Sequence, residues 1–108
     1  MKIAIFAFLL LCPAGAALAQ DVKAGRDIAQ TWCKGCHEVA PGTHNMKEGG
    51  APPFQVIADS KRTTEAALAV FLSTNHGLMP DYSLTRREIR DVSAYILSLK
   101  RDNSAPAR

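Results

Sequence analysis

Cys33-Lys34-Gly35-Cys36-His37 constrains this chain more than any other stretch, because two cysteines three positions apart with a histidine directly behind them serve few chemistries. Such a pair is a redox dithiol or disulfide, part of a metal site, or the attachment point of a covalently bound haem. The surroundings decide among the three.

A dithiol of the thioredoxin-like kind stands at a strand-to-helix junction in a βαβ layout, where the helix dipole lowers the first thiol's pKa. Here no β-branched strand precedes Trp32, and the preceding segment reads as a helix that carries the cysteines at its end. A zinc centre would combine Cys33 and Cys36 with two of His37, His44 and His76, but the spacings from Cys36 to His44 and His76 match no common finger pattern. Haem attachment asks for what is present. Helical positions three apart share a face with Cβ atoms roughly 5–6 Å apart, so both sulfurs can reach the two vinyl groups on one porphyrin edge. His37, turned about 100° from Cys36, can reach beneath the ring to the iron.

The start of the chain sets the compartment. Lys2, the apolar run from Ile3 to Leu11 and the small-residue pattern Ala17-Leu18-Ala19 form a secretory leader over residues 1–19. Cys12 follows Leu11, where a lipid-anchor signal carries a small residue, so it is expected to leave with the leader. The apolar run is short for a membrane span and nothing later is longer or more apolar, which predicts a soluble exported protein without stable membrane insertion, periplasmic or otherwise outside the cytoplasm.

The remaining 89 residues carry 12 Lys and Arg against 10 Asp and Glu, a balance too mild for a nucleic-acid-binding protein. They hold five aromatics and 17 Val, Ile, Leu and Phe together, which is little core for one domain. A domain of this size is marginal on burial alone and usually needs a staple.

Helical signals dominate the rest of the chain. Asp21 is a candidate N-cap of a helix running to Cys36, with Val22, Ile28, Ala29 and Trp32 at roughly helical spacing and Gly25 inside it. Residues 38–53 are broken by Pro-Gly, Gly-Gly and Pro-Pro steps into a long loop, of a length that usually covers something functional. A short helical turn is expected over 54–59, and a helix over 64–73 capped by Thr63 or Thr64. A second loop holds Gly77 and Pro80. The final helix opens on the capping box Thr85-Arg86-Arg87-Glu88 and shows one apolar face through Ile89, Val92, Ile96 and Leu99. Residues 101–108 are read as a polar, frayed tail after a domain over 20–100.

With "CKGCH", "APPF" at Ala51–Phe54 and "LMP" at Leu78–Pro80 in this order, before a helix containing "DVSAYILSL", the chain resembles the class I cytochrome c family over almost the whole mature sequence. The resemblance implies an all-α cytochrome c fold, three to five helices around one haem c held covalently through Cys33 and Cys36, with the N- and C-terminal helices crossing near Gly25 and Tyr95. It implies iron ligated by His37 and by the thioether of Met79, with His76 as the rival sixth ligand. It further implies that a proline carbonyl orients His37, Pro52 by its position two residues before Phe54, with the neighbouring Pro53 an alternative register. Trp32 is expected to cover part of the haem. Lys34 should lie near the exposed haem edge, and Lys47, Lys61, Arg62, Arg86 and Arg87 can extend a basic rim toward acidic partners.

Filled axial positions on both sides predict a one-electron carrier between a redox donor and an acceptor, with no substrate turnover. Other readings are a haem subunit of a larger dehydrogenase or oxidase, a ligand sensor or peroxidase with an open iron, and the thiol oxidoreductase.

Overall fold

The computed structural model describes residues 20–48, 50–74 and 77–101. The leader, His76 and the tail beyond Arg101 lie outside the described residues. Four α-helices make the architecture of the described residues: α1 (Val22–Ile28), α2 (Phe54–Asp59), α3 (Glu65–Leu72) and α4 (Arg86–Ser98), with a π-helical turn over Ala29–Cys33 continuing α1. No βαβ unit is found among the described residues.

Each of α1, α3 and α4 begins where its sequence supplies an oxygen for the unpaired N–H groups. The Asp21 carboxylate accepts from Ala24 N at 2.9 Å and the Thr64 hydroxyl from Ala67 N at 3.1 Å. At α4 both halves of the capping box are made: Glu88 N donates to Thr85 Oγ1 at 3.2 Å and Thr85 N donates to Glu88 Oε2 at 2.7 Å. These contacts hold the Glu88 carboxyl below its ordinary value, chiefly through the Thr85 backbone N–H.

The crossing of α1 with α4 is the most extensive contact between elements. It depends on Gly25. A Cβ there would overlap the Asp91 carbonyl and stand 2.9 Å from Val92 N, so the two backbones meet where only a hydrogen fits. The buried Asp91 side chain adds a second tie, its Oδ1 accepting from Asp21 N at 3.0 Å. Around this crossing Ala29, Cys33, Val39, Phe54, Ala58, Leu68, Val92, Tyr95 and Ile96 form the buried core.

Two local expectations change. The first helix does not run regularly to Cys36, because the chain widens at Ala29 and Lys34 N bonds back five residues to Ala29 O at 3.0 Å. Thr31 contributes by turning its hydroxyl onto Asp27 O at 2.8 Å, a back-bond that bends helices. Arg101 is not frayed. Its backbone N and guanidinium clasp Asp59 through bonds of 3.0, 3.1 and 2.7 Å, anchoring the end of the α4 segment to α2.

A haem-attachment cradle at the end of the first helix

The π turn aims the cysteines. Residues four apart share a face of a helix, and the wider turn shifts the residues that follow it around the axis. Gly25, Ala29 and Cys33, spaced by four, are accordingly all buried, and Cys36 emerges exposed beyond the turn. Both thiols are free rather than joined. Burial pushes the Cys33 thiol up to about 11, the opposite of what a dithiol nucleophile needs.

His37 comes next with its backbone N bonded to Cys33 O at 2.9 Å, and its imidazole is buried. Nδ1 lies 2.6 Å from the Pro52 carbonyl oxygen. A carbonyl can only accept, so Nδ1 carries a proton, and in the neutral imidazole Nε2 is the nitrogen with the lone pair. Pro52, not Pro53, therefore makes this contact.

The neighbours make that arrangement stiff. Phe54, the first residue of α2, meets the His37 ring edge-on at a centroid distance of 5.2 Å, and Tyr95 of α4 stands 6.3 Å behind Phe54. The Tyr95 hydroxyl donates to Val39 O at 2.6 Å, and burial raises its pKa. Tyr95 thus braces the His37 side of the loop as well as lying one turn beyond the Gly25 crossing. The loop returns through Ala51 N to Cys36 O at 3.0 Å, with Phe54 N to Glu38 O at 2.8 Å. Gly50 is required beside this return, since a Cβ there would stand 2.7 Å from Cys36 O.

Gln55 is a residue that sequence reasoning missed. Almost wholly buried, it accepts from Gly42 N at 2.8 Å and donates to Asp59 Oδ1 at 3.1 Å and Leu99 O at 2.7 Å, joining the loop, α2 and the end of α4. A polar residue between Phe54 and Val56 was the available signal, but its partners are remote in sequence.

Met79 belongs to a different segment, between α3 and α4. It is partly buried and borders a shallow pocket with Leu72, Thr74, Pro80, Tyr82 and Leu84. This segment meets the cysteine-bearing turn through Tyr82, whose ring lies 5.2 Å from that of Trp32. Of the expected basic rim, Lys47 is drawn inward, donating to Lys34 O at 2.6 Å with Glu38 at 3.8 Å, and Arg87 stands 3.9 Å from Asp91.

These residues fit a covalently held haem. Two free thiols sit at the attachment spacing, and an imidazole beside them has one nitrogen fixed by a carbonyl and the other an unprotonated donor. Exposed apolar side chains flank them, with Trp32 next to Cys33 and the fully exposed Leu78 next to Met79. Among the described residues no cluster of three or more His, Cys, Asp or Glu could hold a bare metal ion, so zinc has no such site there.

Comparison with known proteins agrees. The family model described as cytochrome C oxidase, cbb3-type, subunit III matches residues 20–96. A cytochrome c-552 of Bradyrhizobium diazoefficiens is 39% identical over 84 residues, covering 78% of this chain and 80% of the relative. No solved structure matches significantly. No helix among the described residues is long and apolar enough to cross a membrane. From the cradle and these two matches, the chain belongs to the c-type cytochromes as a small, all-α, class I member carrying haem c through Cys33 and Cys36, an electron-carrier haem protein.

Proposed function

We propose that the protein is an exported one-electron carrier between two redox proteins, its iron held by His37 Nε2 on one side and the Met79 thioether on the other. The observation that carries this reading is the Nδ1 contact of His37 with Pro52 O at 2.6 Å, which leaves Nε2 as the donor and holds the ring's orientation. When bound, haem supplies an iron couple that gains and loses one electron.

The chain's own residues set the terms. Pro52 strengthens His37 as a donor by taking its Nδ1 proton into a hydrogen bond, and Phe54 prevents the ring from rotating. Met79, beside the backbone-restricting Pro80, would be the second protein ligand of the iron, which would leave no position open for oxygen or peroxide. A soft thioether and an apolar surround both favour the reduced state. With both ligands in place, the electron arrives and leaves without a substrate being converted.

Redox titration of the matured protein tests this reading. It predicts one reversible one-electron step and a reduced form that binds carbon monoxide slowly. Rapid binding would instead indicate an open iron and a sensor or peroxidase. The description of the matching family model favours a second reading, a haem subunit of a larger oxidase. That reading predicts copurification with membrane-bound partners, whereas the carrier migrates alone on sizing.

A further inference from the structure

A thioether is a weak axial donor, and its effective concentration at an iron depends on how closely its loop is kept in place. The Trp32–Tyr82 contact supplies such a restraint. Trp32 lies in the π turn immediately before Cys33, and Tyr82 lies three residues after Met79. Their rings meet at 5.2 Å with planes inclined by 38°, linking the cysteine-bearing turn to the methionine-bearing segment.

The contact is built by the local backbone. Ser83 adopts a left-handed conformation with φ of 51°, and its N–H donates to Asp81 Oδ1 at 2.7 Å, so a tight side-chain-capped turn fixes the direction in which Tyr82 leaves the chain. Pro80 restricts the chain just before it. In the protein chain itself Trp32 is 47% and Tyr82 41% exposed, and neither belongs to the buried core. Leu78, on the other side of Met79, is fully exposed and gives the segment no comparable hold. An aromatic pair with offset, inclined rings is favourable beyond its buried area, enough to shift a local opening equilibrium by about two- to tenfold.

We infer that Trp32 and Tyr82 form a surface clasp that positions Met79 for ligation, acting on the iron only through that methionine. This rests on the Met79 ligation reading, and the experiment separates the two. Haem-loaded wild type, Trp32→Ala, Tyr82→Ala, the double variant, and Tyr82→Phe are compared by the far-red iron–thioether absorption band of the oxidised form. Carbon monoxide binding to the reduced form is measured alongside.

Each alanine variant should weaken the band and bind carbon monoxide about two- to tenfold faster, the double variant no faster than the faster single, and Tyr82→Phe like wild type. If an alanine variant fails to mature, Trp32→Leu and Tyr82→Leu take its place, retaining apolar bulk while losing the ring face, with the same expectation. Unchanged spectra and rates in the single variants would overturn the clasp, as would effects that multiply in the double variant, since the rings would then act separately. A wild type that lacks the band would overturn Met79 ligation and the clasp with it. A wild type that shows the band beside unaffected variants would overturn the clasp alone.

Discussion

His37 shows how much a single side chain here depends on groups far from it in sequence. Its Nδ1 is held by Pro52, its ring by Phe54, and Phe54 stands against Tyr95, whose hydroxyl is spent on Val39 O 56 residues away. Val39 is buried, so removing the hydroxyl leaves a carbonyl without water to replace the bond. Tyr95→Phe is therefore expected to lower the unfolding free energy of the haem-loaded protein by about 1–3 kcal/mol in a urea titration. A change within about 0.3 kcal/mol would mean that the Val39 carbonyl finds another donor. The attachment cysteines could be read from the sequence because covalent attachment demands two thiols at that spacing. The doubled proline could not be resolved there, since either carbonyl satisfies the spacing and only the folded loop selects Pro52. Gln55 and the Tyr95–Val39 bond were hidden for the same reason, their partners being set by how the loop folds back.

Helices show a similar division. Caps are local, and Asp21, Thr64 and Thr85 each cap the helix that their sequence positions indicate. The π turn was not legible, because Gly25, Ala29 and Cys33 recur at a spacing that a regular α-helix would serve equally well. The crossing itself gives a sharp test. Gly25→Ala sets a methyl into the Asp91 carbonyl and must push α1 off α4, costing about 1–3 kcal/mol or more, and a melting temperature equal to wild type would contradict the close approach. At the other end of α4, Arg101 holds Asp59 well below the usual carboxylate range, first through its backbone N–H and then through its guanidinium, with Gln55 adding a further bond. A depressed carboxyl stabilises the fold above the unfolded-state value of about 4 and loses that contribution as pH falls further. Asp59→Asn should accordingly flatten the acid limb of the stability profile, and an unchanged limb would show that other carboxylates control it. The tail reading failed at Arg101 because composition registers polarity, not the remote carboxylate whose Oδ2 accepts from two guanidinium nitrogens while Oδ1 accepts from the Arg101 backbone N.

At the scale of the whole molecule, the described residues offer four short helices and a buried cluster of nine side chains to a chain that is short of apolar material, and covalent haem is the staple that such a domain lacks on its own. After α1 and its π turn the chain returns to Cys36 through Ala51 and brings the Pro52 carbonyl to His37. Between α3 and α4, Met79 is followed directly by Pro80, the Asp81–Ser83 turn and Tyr82. The proposed function has these two segments supply the two protein ligands of one iron, His37 and Met79. Its most direct test is the far-red absorption spectrum of oxidised, correctly matured protein beside its Met79→Ala variant. A weak iron–thioether band is expected in the wild type, vanishing on reduction and absent from the variant, and a wild type without it, or a variant that keeps it, would contradict the account.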